Sequence, residues 1–250
     1  MGRIIKKRCA SVEAGKGEEM GLVPATGRKN RVRQTSCKQC GICCTKGGAA
    51  LHGEDLFLLR EGLIPRQDLI TIRKGEFAHN PRTDRVQPTK VEIVKLRGTG
   101  TEWTCCYYDP LTRGCSIYEK RPLACKTLKC WDPEESLALV ETDLLSRLDI
   151  LEEDEPLQEL VRAHNSTCSL PDFVSLSRAL EEDTEQTVAD LEASVNTDLS
   201  FRNKAVEDSE VVLREELFLL GRPLFQLLQP FGLHVFQEGN CLRLQWKRNT

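Results

Sequence analysis

The stretch Cys37-Lys38-Gln39-Cys40-Gly41-Ile42-Cys43-Cys44 places four thiols within eight residues, and nothing else in the chain narrows the possible folds as sharply. Two successive Cys-x2-Cys steps, Cys37/Cys40 and Cys40/Cys43, let sulfurs from one tight loop converge on a single centre, with Gly41 permitting the sharp turn. A second block follows at Cys105, Cys106, Cys115, Cys125 and Cys130, so nine of the twelve cysteines fall in two blocks. A chain of 250 residues can bury a core without cross-links, so cysteine is not needed here for bulk stability. Clustered thiolates are soft ligands that select zinc, iron–sulfur centres or copper(I) over calcium or magnesium.

The compartment follows from what the sequence lacks. No apolar run approaches the roughly 18 residues of a membrane span. The basic start, Met1-Gly2-Arg3-Ile4-Ile5-Lys6-Lys7-Arg8, has no apolar stretch behind it, and Lys6 departs from the myristoylation pattern. The expectation is a cytoplasmic protein with no membrane association, whose thiols stay reduced and whose clustered cysteines hold metal rather than form disulfides.

The net charge of -3 conceals three unlike regions. Residues 1–36 carry nine basic and three acidic side chains, include Gly17, Gly21, Pro24 and Gly27, and read as a basic disordered segment. Residues 37–131 hold sixteen basic and ten acidic side chains and form the cysteine-cluster metal-binding domain. Residues 132–250 are the acidic helical region ending in a hairpin; within it, 132–216 hold twenty-four acidic and six basic side chains. Positive charge beside the cysteines suits thiolates, which nearby Lys and Arg stabilise.

Along the chain, the spacing predicts a short helix over Gly53–Gly62 and strands at Ile70–Arg73 and Val91–Leu96. Asn80-Pro81 and Asp109-Pro110 mark turns, and a short helix fits Ser116–Lys120. Ser136–Leu151 places Leu137, Val140, Leu144, Leu148 and Leu151 on one helical stripe. Further helices are predicted over Leu157–His164, Pro171–Glu181, Glu185–Val195, Val211–Leu220 and Leu224–Gln229, before a hairpin joining His234–Gln237 to Leu242–Trp246. The fold class is α+β: a small loop-rich cysteine-cluster domain with short strands, an acidic, mostly α-helical region, and a C-terminal β-hairpin.

The compound pattern Cys-x2-Cys-Gly-x-Cys-Cys, then Cys-x9-Cys-x-Ile-Tyr-x2-Arg-Pro-x2-Cys and a further Cys, closely resembles the YkgJ family, described as a putative zinc- or iron-chelating domain. The resemblance covers 37–130 and implies eight ligands: Cys37, Cys40, Cys43, Cys44, Cys105, Cys115, Cys125 and Cys130, with Arg121-Pro122 as structural signature. Cys105 is preferred to Cys106 because Tyr107-Tyr108 then takes the family's apolar positions; Cys106 is the alternative. Eight sulfurs exceed one site, and without accompanying histidine they suit one or two iron–sulfur clusters better than a zinc or iron ion. Adjacent Cys43 and Cys44 are expected to point apart and serve two centres, or one metal and one packing role.

Other residues receive plainer readings. Cys9, Cys168 and Cys241 stand alone as small hydrophobes or thiols. His52 and His79 are read as lone histidines rather than ligands, and Arg121 as a hydrogen-bond donor to sulfurs or loop carbonyls. Tyr107, Tyr108, Tyr118 and Trp131 are read as an apolar coat. Arg113, Lys120, Lys126 and Lys129 read first as charge compensation for thiolates, and second as a contact for nucleic acid or an acidic partner. The leading functional expectation is a metal-binding protein in electron transfer or metal handling, with the acidic helical region offered to a protein partner and nucleic acid not expected. Two alternatives stand beside it. One is a cluster-dependent protein-modifying enzyme resembling the flagellin lysine methylases, although the chain has no glycine-rich cofactor loop and no nucleophile elbow. The other is a structural zinc interaction module.

Overall fold

The computed structural model describes residues 34–153, 155–208, 211–239 and 241–247. The basic N-terminal stretch lies almost wholly outside them, as does Cys9. Short strands find one partner each, giving five antiparallel pairs among the described residues rather than one broad sheet.

A 3-10 turn at Gly53–Asp55 leads into α1 (Leu56–Arg60). Strand β1 (Leu69–Ile72) is buried along its whole length. After it come the hairpin strands β2 (Phe77–Asn80) and β3 (Arg85–Pro88), which the sequence betrayed only by the turn at Asn80-Pro81. Strand β4 (Ile93–Leu96) then returns to pair with β1, Leu69 opposite Leu96 and Ile72 opposite Ile93. Two-residue pairs follow: β5 (Gly98–Thr99) with β6 (Thr104–Cys105), and β7 (Tyr108–Asp109) with β8 (Gly114–Cys115). These small hairpins present Cys105 and Cys115 of the second block.

The helical part comprises α2 (Leu123–Thr127), α3 (Glu134–Ala138), α4 (Arg147–Ile150), α5 (Pro156–Thr167), α6 (Phe173–Glu182), α7 (Thr184–Glu207), α8 (Glu216–Leu219) and α9 (Leu224–Leu228). The hairpin of β9 (Leu233–Glu238) and β10 (Cys241–Trp246) closes the chain, with Trp246 opposite Leu233. Mixed helices, small antiparallel pairs and a terminal hairpin are the α+β architecture the sequence implied. Among the described residues no helix is long and apolar enough to cross a membrane.

Two of the predicted helices need correction. The continuous helix over Ser136–Leu151 is broken between Ala138 and Arg147, where Glu141 and Asp143 take left-handed φ of 62° and 47°. There the chain runs extended, and Leu145 donates its N–H to the Leu51 carbonyl. The leucine spacing thus belongs to a loop that lays Leu145 into the core, not to one helical face. The helix expected over Glu185–Val195 instead continues to Glu207, because its buried stripe runs Leu191, Val195, Asp198, Arg202, Ala205. Asp198 and Arg202 occupy core positions that hydropathy assigns to solvent.

Helix α7 joins two cores. Leu191 and Val195 belong to one built with α6, α9 and the terminal hairpin; Ala205 belongs to the other. That second core takes Leu51, Leu69, Val94, Leu96 and Cys105 from before residue 131 and Leu145, Val161 and Phe218–Leu220 from after it, while Cys44, Tyr107 and Ile117 pack against it. The cysteine loops therefore rest on a wall to which the helical region contributes. Arg66 adds a two-pronged bond to Glu155 at 2.6 and 2.8 Å, and the fully buried Arg147 bonds Glu92 at 2.6 Å and donates to the Leu219 carbonyl.

Asp55, 2% exposed, ties the N-terminus of α2 to the turn before α1: its carboxylate accepts from His52 N at 3.0 Å and Leu123 N at 2.8 Å. Replacing it with alanine strands two backbone donors. Asp55→Ala is expected to cost about 2–4 kcal/mol in urea unfolding, whereas Val91→Ala, at a position 42% exposed, should stay within about 0.5 kcal/mol.

Candidate metal centre

The first cysteine loop turns at Gly41, which has φ +76°. A Cβ on Gly41 would collide with the Tyr108 ring and stand 2.9 Å from the Arg113 carbonyl oxygen. The loop thus lies directly on the β7–β8 hairpin, and the two sulfur-bearing segments touch. Beyond Gly41 the chain tightens into a 3-10 turn, Cys44–Lys46, with Cys44 N and Thr45 N donating to the Gly41 carbonyl at 2.9 and 3.1 Å. Cys43 precedes the turn in right-handed helical conformation, φ -67° and ψ -33°. Successive side chains there do not oppose each other as in a strand. The Cys43 and Cys44 sulfurs stand 4.0 Å apart, where the sequence reading had them diverge.

Five of the eight predicted ligands come together. Cys125, on α2, feels the charges of Cys105, Cys115, Cys43 and Cys44; Cys44 feels those of Cys43, Cys115 and Cys105. Burial is the larger cause in each case, and together they push both thiols up to about 12. Cys115 is raised by burial and by Cys105, against backbone N–H and Arg121 contributions that favour its anion. Cys105 moves the other way, down to about 7. A hydrogen bond from the Cys106 thiol is the main cause, helped by the Tyr107 N–H and the Lys95 ammonium against the cost of burial. Cys106 has one thiol proton for two acceptors, the Cys105 sulfur and the Asp68 carbonyl at 3.8 Å. Its own pKa rises as the Cys105 anion accepts that proton. Cys105 is the member of the pair that acts on Cys44, Cys115 and Cys125.

Basic groups do meet these thiols: Arg121, named in the sequence, acts on Cys115, and Lys95, which was not, acts on Cys105. Lys95, on β4, lies within reach of Cys105, and burial lowers its own pKa. Its neighbours Val94 and Leu96 face the core, so Lys95 occupies the opposite face of the strand. That alternation was legible; its proximity to Cys105 was not. Arg121 donates from Nε to the Tyr118 carbonyl at 2.6 Å and stacks 3.6 Å from the Tyr118 ring centre. Pro122 starts α2, and Cys125 N donates to its carbonyl at 2.9 Å, which orients the cysteine. Of the four basic residues named earlier, Lys129 pairs with Glu135 and Lys126 stands over Phe57.

The other predicted ligands lie at the surface. Cys37 and Cys40 are exposed on the incoming loop, and Cys130 is exposed in a turn where Asp132 N donates to the Lys129 carbonyl. His52 is buried and its Nδ1 lies 2.9 Å from the Thr142 carbonyl, while exposed His79 pairs with Asp84. Cys241 is exposed at the start of β10.

Cys168 is less solitary than its sequence suggests. Its sulfur, a His164 ring nitrogen and an Asp198 oxygen lie within 4.8 Å of one another, all three residues buried. His164 and Cys168 are four apart at the end of α5, a spacing the sequence could have revealed; Asp198 comes from α7. The Asp198 carboxylate is already filled. It bonds His164 Nε2 at 2.9 Å and accepts from Arg202 Nε and Leu224 N, both at 2.9 Å. Two guanidinium groups, Arg73 and Arg202, act on the trio and oppose a further cation. The cluster is a polar pin joining α5, α7 and the start of α9. Among the described residues it is the one group of three or more such side chains drawn this close, so the cysteine-cluster sulfurs are spread more widely.

A family model described as CxxCxxCC, putative zinc- or iron-chelating domain, matches residues 36–169, more than half of the chain. No curated protein and no solved structure matches.

Two outcomes test this geometry. Gly41→Ala should lift the first loop from Tyr108, so that Cys44, Cys105 and Cys115 in the metal-free chain react with a thiol reagent at least about tenfold faster by mass spectrometry. The polar pin has a pH signature. Burial holds the His164 pKa below its usual 6.5; Asp198, despite burial, is held below 3.8 by its hydrogen bond with His164 and by the charge and hydrogen bond of Arg202. In both cases the unfolded chain binds protons that the fold resists, so stability is full at neutral pH and falls with acid, His164 contributing first, below about 6.5. Urea unfolding at pH 7.5 and 5.5 should show a smaller loss for His164→Gln than for the unaltered chain.

Proposed function

The chain belongs to the CxxCxxCC family, described as a putative zinc- or iron-chelating domain, and from that premise we propose that it holds an iron–sulfur centre in a reducing compartment and serves electron transfer or metal handling. The observation that carries the reading is the meeting of Cys44, Cys105, Cys115 and Cys125, with Cys43 alongside, from segments some sixty residues apart. Their chemistry fits the group: four half-buried or buried thiols and no histidine among them.

Donor number favours a cluster over a single ion: nine clustered cysteines exceed the four ligands one zinc takes, with no histidine accompanying them. Bound there, such a centre supplies one-electron redox chemistry. The protein's own part is to orient and shield. Pro122 and α2 aim Cys125, the Gly41 turn brings Cys44 inward, and Lys95 and Arg121 offset thiolate charge. Tyr107 packs on the core beneath, its hydroxyl donating to Asp68 at 2.6 Å.

Anaerobic reconstitution with iron and sulfide should give a brown protein with acid-labile sulfide, and Cys125→Ser should lose most of the colour. A colourless protein binding stoichiometric zinc in preference to iron would reverse the choice of metal.

A further inference from the structure

Where α7 passes from one core to the other, a groove opens beside it. Leu199, Asn203, Val206 and Glu207 line it from α7, at the three-or-four spacing that puts residues on one helical face. The segments that follow contribute Leu213, in the 3-10 turn before α8, Glu216 at the start of α8, and Phe225 on α9. Val206 packs on the core that holds Ala205, and Phe225 on the one that holds Leu224 and Leu228, so the groove is the seam that neither core closes. Its volume of about 360 Å³ is at the small end of ligand pockets, room for an anchoring side chain. Leu213 is 68% exposed and its neighbour Val212 63%, which leaves apolar surface in water at one edge.

The charge offered at this groove is negative. Arg202 is its basic lining residue, but it is buried and already spent: its guanidinium serves Asp198, Glu216 and the carbonyls of Leu220, Gly221 and Arg222. Glu207 is exposed, and among the described residues its side chain makes no ion pair or hydrogen bond. Lys204 and Arg214 stand on the neighbouring turns without lining the groove. Helix α7 ends at Glu207, and the carbonyls of a helix C-terminus attract positive charge. We propose that this groove docks a basic peptide segment of a partner protein. One large apolar side chain of the segment seats against Leu199, Val206, Leu213 and Phe225, and flanking lysine or arginine lies beside Glu207 and Glu216. Charge selects this occupant: a neutral apolar segment leaves Glu207 without a partner, and an acidic one meets like charge in a region with twenty-four acidic and six basic side chains. Every lining residue follows Asp198 and none is a cysteine, so the docking site is independent of the metal centre.

The test titrates the full chain into fluorescein-labelled short peptides, each a run of lysine and arginine around one central residue, and reads fluorescence anisotropy. Peptides centred on leucine, phenylalanine or tryptophan are expected to bind at least about tenfold more tightly than the serine-centred control, and added salt should weaken them. Glu207→Lys and Leu213→Ser, both at exposed positions, should each weaken binding at least about fivefold while the urea midpoint stays unchanged. Glu181→Lys, an exposed charge reversal at the end of α6 and outside the groove, should bind like the unaltered chain. Failure of every apolar-centred peptide to bind, equal binding of the serine control, or an equal loss in Glu181→Lys overturns the proposal. So does benzyltrimethylammonium bound as tightly as the peptides, which would make the groove a site for small cations instead.

Discussion

Thiols brought together resist ionising, and that resistance is what the fold must overcome. Cys44 and Cys125 are each pushed to about 12 by burial and by their neighbours' charge, so in the metal-free chain both remain protonated near neutral pH. A bound cation reverses the balance, since it binds the thiolate and releases the proton. The scaffold must therefore hold the sulfurs close without help from the ion. It does so through a backbone contact, Gly41 against Tyr108 and the Arg113 carbonyl, which a side chain would forbid. Cys105 goes the other way, drawn down to about 7 by Cys106, Tyr107 and Lys95, and is poised to ionise before a metal arrives.

The residues behind the cysteines explain why the chain continues past them. The loops have almost no regular structure of their own, with β5 to β8 two residues each. They lean on β1, β4 and the Leu51 segment, and these in turn are backed by Leu145, Val161 and Phe218–Leu220. Buried Arg147 bonds Glu92 beside β4 on one side and the Leu219 carbonyl on the other, so losing it would leave a buried carbonyl and a carboxylate unpaired together. Its charge belongs to the link between strands and helices.

What could be read in advance follows from how local each determinant is. The Cys-x2-Cys steps, Arg121-Pro122 and the hairpin turn at Glu238-Gly239 depend on adjacent residues, and they were legible. Helix α7 was half legible. Its first part follows hydropathy at Leu191 and Val195, but its second buries Asp198 and Arg202, whose partners lie on α5, α8 and the start of α9 and are invisible along the chain. The 136–151 segment failed for the opposite reason, a helical spacing of leucines met by a bridge between His52 and Leu144. At the candidate metal centre the sequence singled out the clustered cysteines but could not tell half-buried from exposed ones. It also passed over Lys95, which a strand pattern marks simply as outward-facing.

The distribution of charge acquires a mechanical sense once these partners are known. Residues 37–131 are net basic and 132–216 strongly acidic, which on sequence alone could describe two independent bodies. Several of the pairs that matter run between them: Arg66 to Glu155, Arg147 to Glu92, and Arg82 donating to the carbonyls of Leu137 and Ala138. Exposed pairs of this kind contribute little each, but Arg147 is fully buried and its Glu92 partner is only 20% exposed, where a broken pair is costly. Sequence-distant charge complementarity thus fixes the register of helices against strands. The sulfur loops inherit a rigid floor from it, which short hairpins of their own could not supply.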